Sequence, residues 1–182
     1  TLLTAAKYLR NVSRPNKNPA TADITYNGVD YFVQGVRARR KDTLEYLVVV
    51  TNGRDADATA LVFNDNLPDS TTYITGSAAV DTDGDERFDV TTGTGGESEG
   101  PDDGIVVMSG NQITVYIGAG GSDAAGSAYG GTITGIASAP NNKSAVLYRF
   151  TPKQLEHRPA KARGSIVVGK DLSLIHISEP TR

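Results

Sequence analysis

The sequence predicts an all-β protein, an antiparallel β-sandwich with an extended strand or arm at its N-terminus. Short runs of β-branched and aromatic residues recur along the chain with turn residues between them, and no strong helical period appears. The composition agrees, because 20 glycines and eight tyrosines favour strands and turns over helices. With 182 residues, the chain has room for one ordinary domain and its appendages.

The stretch TLEYLVVVT (43–51) is the clearest strand. Apolar residues lie on both of its faces, so we expect it to be covered on both sides. After a turn at Asn52-Gly53, the stretch 58–65 is expected to return beside it as a hairpin with a longer loop. One face carries Leu44, Tyr46, Val48 and Val50, and the other carries Leu47 and Val49. Further strands are predicted at 31–38, 71–80, 104–110, 112–118, 131–138 and 144–152.

Four segments follow one another along the chain. They are an N-terminal strand or arm with its loop (1–23), the sandwich (24–153), a basic and truncated C-terminal segment (154–171), and a tail (172–182). The stretch TLLTAAKYLRNVS at the start mixes threonines with apolar residues, which favours an extended strand or arm, and two prolines mark the loop after it. The arm is expected to present Leu2, Leu3, Ala6, Tyr8 and Leu9 to another subunit.

Charge is unevenly distributed, although the net charge is only −3. Residues 1–41 carry eight basic residues against two acidic ones, and residues 143–170 carry seven against one. Residues 81–103 carry nine acidic residues against one basic residue. Basic ends and an acidic middle would let copies of the chain attract one another head to tail, while the simpler interpretation is a solvated surface. The basic residues are not interleaved with aromatic ones, so no nucleic-acid partner is expected.

Several classes of protein are excluded or disfavoured. Cysteine is absent, which excludes disulfides, thiolate metal sites and a cysteine nucleophile. No apolar run approaches the roughly 20 residues of a spanning helix, so no membrane span is expected in the visible chain. His157 is the only histidine before the tail, and it lies in a basic stretch without a catalytic partner. We therefore expect a protein that is not an enzyme.

Residues 43–77 carry a specific pattern: a tyrosine-containing strand that ends in Thr-Asn, a strand that ends in Asp, and then Leu-Pro before a further tyrosine. The residues are Leu44, Tyr46, Thr51, Asn52, Asp65, Leu67, Pro68, Tyr73 and Gly76. This stretch resembles the conserved-repeat domain of unknown function (the DUF-eleven family) of bacterial and archaeal surface proteins. The resemblance implies an immunoglobulin-like sandwich at the cell surface, in adhesins, envelope layers or fibres, and it implies no catalytic residues.

The loop DTDGDERFD (81–89) is the sharpest local signal for chemistry. Alternate carboxylates in a tight loop can converge on one hard cation, and Gly84 permits the turn. Ca²⁺ fits better than Mg²⁺, because it accepts six to eight oxygen ligands in flexible geometry. The loop is similar to the Asp-rich calcium loops of dockerins and thrombospondin type 3 repeats, and the alternative is a solvated acidic loop. The expected ligands are the carboxylates of Asp81, Asp83, Asp85 and Asp89 and the backbone carbonyl of Arg87.

Two further features concern modification. Asn11 and Asn142 each begin an Asn-X-Ser sequon, which mildly supports a surface protein bearing glycans. Lys7 in the first strand has the amine that an isopeptide crosslink needs, but we do not expect a crosslink here. A second acidic stretch, 95–104, is expected to be a flexible linker or to lend one carboxylate to the calcium loop.

Two functions remain open. The first is an extracellular structural subunit of a surface filament or fibre that polymerises with copies of itself by β-strand addition and is stabilised by calcium. The second is an adhesin or carbohydrate-binding module of a larger surface protein, for which Tyr116, Tyr129 and Tyr148 are candidate contacts with glycans. Exposed aromatic residues on one face would favour the second function.

The tail LSLIHISEPTR (172–182) has a separate origin. All eleven residues match the in-frame translation of the transposase adapter used in tagmentation sequencing libraries. We interpret the tail as untrimmed adapter from an environmental sequence assembly, so Asp171 is the last native residue that can be read.

Overall fold

The larger sheet of the protein is antiparallel and forms one wall of the core. A computed structural model describes residues 3–93 and 97–153, together with the backbone of strands at 166–168 and 174–178. The six strands of this sheet are, in spatial order, β1 (Leu3–Asn11), β5 (Leu44–Asn52), β13 (Lys143–Pro152), β8 (Ala79–Asp81) and β9 (Val90–Thr91), with β7 (Thr71–Tyr73) also paired to β13.

A second antiparallel sheet forms the opposite wall. Its five strands are, in spatial order, β10 (Val106–Ser109), β11 (Gln112–Val115), β6 (Ala58–Asn66) and β12 (Gly131–Ile133), with β15 (Leu174–Ser178) also paired to β6. Two small ribbons complete the strands, β2 (Ile24–Tyr26) with β3 (Val29–Tyr31) and β4 (Val36–Ala38) with β14 (Ile166–Val168). Short 3₁₀ turns lie at Pro15–Lys17 and Ile136–Ser138. The all-β prediction is confirmed, and the arrangement of the sheets is sandwich-like.

The main core lies between the two sheets, and β5 explains why its sequence is so apolar. Tyr46 and Val48 on one face of β5 join a buried cluster with residues of the second sheet, including Phe63 and Ile113. Leu47 and its neighbour Val49 face the other way, into a smaller cluster beneath the β2–β3 ribbon. The prediction that both faces of this strand are covered is therefore confirmed.

The expected hairpin between the stretches 43–51 and 58–65 is wrong. β5 pairs with β1 and β13, whereas β6 pairs with β11 and β12 in the other sheet. The chain crosses between the sheets after Asn52, whose buried side-chain amide donates hydrogen bonds to the carbonyls of Ala56 and Ile133, each at 3.0 Å. This asparagine therefore stabilises the crossover through its side-chain hydrogen bonds.

The N-terminal segment is not a free arm. Residues Leu3–Asn11 pair along their whole length with β5 of the same chain, from Leu3 opposite Asn52 to Asn11 opposite Leu44. Leu9 is fully buried in the main core, and the partly buried Leu3 packs against that core. Ala6 and Tyr8 are half-buried in the same strand, and Leu2 lies outside the described residues. Because β1 completes its own sheet, the predicted boundary at residue 23 does not separate it from the sandwich.

The tail contributes β15, which lies antiparallel to the C-terminal half of β6. Leu174 is opposite Asn66, and Ser178 is opposite Val62. The edge of a sheet offers only backbone N–H and C=O groups, so a segment of almost any sequence can pair with it. The pairing therefore concerns the edge of β6 and does not decide the origin of the tail.

Candidate metal centre

The acidic loop lies between β8 and β9, and the pairing of these strands brings its two ends together. Ala79 is opposite Thr91 and Val80 is opposite Val90. The same antiparallel register, continued by one step, places Asp81 across from Asp89. Sequence spacing and strand register therefore together place the carboxylates of Asp81 and Asp89, the first and last of the loop, close to each other.

The carboxylate of Asp81 organises the turn from inside. It is fully buried, and it accepts hydrogen bonds from the backbone N–H groups of Gly84 and Glu86, both at 2.9 Å. The hydroxyl of Tyr26, on the ribbon that covers the sheet, donates a third hydrogen bond at 2.5 Å. The turn requires φ of +77° at Gly84, and a Cβ atom there would lie 2.5 Å from the carbonyl oxygen of Lys143. Only glycine fits this position without displacing β13.

Three carboxylates of the loop converge. Oxygens of Asp81, Asp83 and Asp89 all lie within 4.8 Å of one another, and the latter two side chains are exposed to solvent. The Oδ1 atom of Asp89 accepts a hydrogen bond of 2.9 Å from the amide of Thr82. The three residues could hold a metal ion, with a buried ligand on one side and open access on the other.

Asp85 and Arg87 depart from the predicted ligand set. Asp85 is not among the converging carboxylates, and its Oδ1 atom accepts a hydrogen bond of 2.8 Å from the amide of Arg87. Both side chains are exposed. The carbonyl of Arg87 as a ligand stays a prediction. Of the four predicted carboxylate ligands, Asp81, Asp83 and Asp89 converge, whereas Asp85 stabilises the local backbone of the loop.

The electrostatics of the loop favour a cation. Burial raises the pKa of Asp81, although the hydrogen bonds from Tyr26, Gly84 and Glu86 act in the opposite direction. A cation beside three clustered carboxylates would offset both their mutual repulsion and the cost of burying Asp81. Lys143 forms an ion pair with the loop, in which its Nζ atom lies 3.7 Å from the carboxylate of Glu86.

The second acidic stretch serves the fold instead of the metal cluster. Glu97 accepts hydrogen bonds from the amides of Ile105 and Val106, at 2.9 and 3.3 Å. Glu99 accepts hydrogen bonds of 2.6 Å from the hydroxyl of Tyr73 and from the amide of Gly76. These carboxylates therefore hold loop backbone in the described part of the stretch, and its flexibility stays a prediction.

Both sequons are buried in the folded protein. Asn11 is fully buried, and its Nδ2 atom donates to the carbonyl of Arg37 and to Asp42, both at 2.9 Å. Asn142 is 7% exposed, and its Nδ2 atom donates a hydrogen bond of 2.8 Å to the carbonyl of Asn52. N-linked glycans are attached through the side-chain nitrogen of asparagine. In the folded chain this nitrogen is buried at both sequons and has no room for a glycan. The two glycosylation predictions are therefore wrong.

Sequence reasoning missed the hydroxyl of Tyr26 beside Asp81, because no local pattern links positions 55 residues apart. It also missed a charged pair in the core, where the Nζ atom of Lys7 lies 2.9 Å from Asp65. A signal for this pair exists. Lys7 shares its strand face with Leu9, and Asp65 shares its face with Phe63, so alternation places both charges inward.

Comparison with protein-family models, with curated proteins and with solved structures finds no match for this chain. The resemblance of residues 43–77 to the DUF-eleven family and the immunoglobulin-like classification stay predictions. Among the described residues, no helix is long and apolar enough to cross a membrane.

Proposed function

We propose that this protein is an extracellular structural subunit of a surface filament or fibre, which assembles with copies of itself by β-strand addition and is stabilised by Ca²⁺. The observation that carries the proposal is the edge of β6 between Val62 and Asn66, which accepts a strand in addition to its neighbours within the domain. The family resemblance supports the cell-surface location.

The edge of β6 has the properties of an acceptor. On one side, β6 pairs with β11 over Phe63–Asn66, and on the other side β12 covers only its first half, at Ala58 and Leu61. The remaining half, Val62–Asn66, pairs with the tail strand β15. If the tail is adapter sequence, a chain that ends at Asp171 leaves this half-edge open, and an extended strand from a second copy can take the same place.

This joint replaces the one expected from the N-terminal arm. β1 already completes its own sheet, and its buried side chains would have to leave the core to reach another subunit. Strand addition at β6 needs no such exchange, because the acceptor groups lie at an edge. Backbone hydrogen bonds would supply the affinity of the joint, and the neighbouring side chains would supply its register.

Calcium would act on the loop between β8 and β9. Asp81, Asp83 and Asp89 supply three carboxylate ligands, and backbone oxygens or water complete the shell that Ca²⁺ prefers. Asp81 is tied to the β2–β3 ribbon through Tyr26, so the ion would fasten that ribbon to the larger sheet. Calcium binding then stabilises the folded subunit instead of a catalytic centre.

An adhesin or carbohydrate-binding module is the second candidate. Tyr129 is 55% exposed, which suits stacking against a sugar ring. Tyr148 is fully buried and Tyr116 packs against the core, so two of the three tyrosines expected to contact glycans serve the interior. One exposed tyrosine gives this function less support than the open half-edge gives the first.

Electron microscopy of a chain that ends at Asp171 tests the proposal, with and without a calcium chelator. Fibres that form in calcium and dissociate on chelation are the expected result. A glycan-array measurement on the same protein gives the alternative its own outcome. Compact monomers that bind glycans through Tyr129, with binding lost in Tyr129→Ala, would contradict the filament and establish the adhesin.

A further inference from the structure

A lysine and an aspartate from opposite sheets meet inside the core. Lys7 lies on β1 of the larger sheet and Asp65 on β6 of the second sheet, and the Nζ atom lies 2.9 Å from Oδ2. Their side chains are 3% and 0% exposed. Isolated charges are rarely buried so completely, because the loss of hydration by each ion is costly compared with the small net stability of a domain.

Aromatic rings surround the pair. The Nζ atom of Lys7 lies 3.8 Å from the centre of the Tyr46 ring. The hydroxyl of Tyr148 donates a hydrogen bond to the same Oδ2 atom of Asp65 that contacts the lysine. Tyr148 in turn lies between Tyr46 and Phe63, with ring centres 5.6 and 6.5 Å away. The ammonium and the carboxylate therefore meet in a site from which bulk water is excluded.

We propose that Lys7 and Asp65 condense to an intramolecular isopeptide bond that links the two sheets. A proton passes from the ammonium to the carboxylate, which gives a neutral amine and a neutral carboxylic acid. The amine nitrogen attacks Cγ of Asp65 and forms the new C–N bond. The C–O bond then breaks, and its oxygen leaves with two protons as one water molecule.

The reaction needs no oxidant, metal or cofactor, because a lysine and a carboxylic acid together contain every atom of the amide and the water. The hydroxyl of Tyr148 is the catalytic group, since it contacts the reacting carboxyl and can stabilise the negative charge that develops on oxygen during the attack. Proximity supplies the remainder of the rate, because β1 and β6 hold the two groups in contact before reaction.

The bond would lock β1 into its own subunit. β1 is the edge strand of the larger sheet, and a covalent link from its middle to β6 prevents it from detaching under load or at high temperature. This consequence does not depend on fibre assembly, so the crosslink stands whether or not the filament proposal survives.

Intact mass spectrometry of the full chain is the test. The expected mass is lower than that of the sequence by one water molecule. Trypsin should release a branched product that joins residues 1–10, uncleaved after Lys7, to residues 55–87. Lys7→Arg keeps the positive charge but cannot form the bond, so its mass should equal that of its sequence. Lys143→Arg, at an ion pair outside the core, is the matched control and should retain the loss of water.

Two further results make the outcome unambiguous. Asp65→Asn should lose one ammonia molecule instead of one water, because the amide nitrogen becomes the leaving group. Tyr148→Phe should form the bond more slowly after refolding. A folded wild-type chain that keeps the full mass of its sequence after prolonged incubation would overturn the proposal, and that result does not depend on whether any variant folds.

Discussion

Two aspartates of this protein are equally buried but are held in opposite ways. Asp81 accepts hydrogen bonds from the hydroxyl of Tyr26 and from two backbone amides of its own loop, and all of these donors are neutral. Asp65 is paired with the cation of Lys7, which lies 58 residues away in sequence. The first carboxylate is part of a loop that opens to solvent, and the second is sealed between the sheets. The site of Asp81 therefore suits reversible binding of an ion, and the site of Asp65 suits a permanent covalent bond.

The comparison predicts unequal costs of removal. Asp65→Ala leaves Lys7 as an uncompensated ammonium in the core, without either the ion pair or the proposed isopeptide bond, and should lower the free energy of unfolding by at least about 3–5 kcal/mol. Asp81→Ala leaves neutral donors without an acceptor and should cost about 1–3 kcal/mol in the absence of calcium. Urea unfolding of both variants measures the difference. Equal losses would mean that the link between Lys7 and Asp65 is no more important to the fold than the turn.

Calcium should reduce the difference between these two losses in the free energy of unfolding, because only the loop that contains Asp81 would bind it. Saturation to 100 times the dissociation constant should raise the free energy of unfolding of the wild type by about 2.7 kcal/mol. Asp83→Asn removes one converging carboxylate and should abolish most of that gain, whereas Asp85→Asn is the matched control outside the cluster and should keep it. Thermal unfolding with calcium and with chelator checks both variants. A gain that survives Asp83→Asn but not Asp85→Asn would contradict the ligand set.

The turn at Gly84 offers a further test of how tightly the metal loop is fixed. Gly84→Ala combines left-handed strain with a clash against the carbonyl of Lys143, whereas Gly76→Ala carries the same strain, at φ of +80°, in open space. We expect the first variant to lose about 2 kcal/mol more than the second, since overpacking typically costs 1–3 kcal/mol. Urea unfolding measures both, and similar losses would show that the loop yields without cost.

Glu45 adds a third buried carboxylate, and its pH dependence sharpens the contrast. Burial alone would raise its pKa, but hydrogen bonds from Arg10, Tyr31 and Arg149 outweigh burial and lower the pKa below its ordinary value of 4.5. The folded state therefore binds the proton more weakly than the unfolded state. The stabilisation by Glu45 is present above pH 4.5 and is lost as the pH falls through the lowered pKa.

Comparison of wild type with Glu45→Gln in urea from pH 7 to pH 3 measures this effect. The difference in the free energy of unfolding should be largest at neutral pH and should shrink below pH 4.5. A constant difference across the range would assign the loss to packing instead of charge.

Local patterns allowed much of the fold and part of the metal loop to be predicted. The alternation of residues along β5 assigned both of its faces correctly, because the apolar character of each side chain indicates whether that side chain is buried. The strands that pair with β5 were not predictable in the same way. The turn residues Asn52-Gly53 are compatible both with a hairpin and with a crossing to the other sheet. Asp81, Asp83 and Asp89 followed from spacing, but the exclusion of Asp85 depends on how the turn bends at Gly84. Alternation hinted at the buried Lys7–Asp65 pair, yet its contact required the packing of two sheets.

The molar mass of the chain that ends at Asp171 tests the central claim most directly. Light scattering over a range of concentrations should show assemblies that grow with concentration, because Val62–Asn66 of β6 is then open to a second copy. Addition of a synthetic peptide with the sequence of residues 172–182 should return the chain to monomers by filling that half-edge, and a scrambled peptide should not. A chain that stays monomeric at every concentration, with or without the peptide, would contradict strand addition at β6.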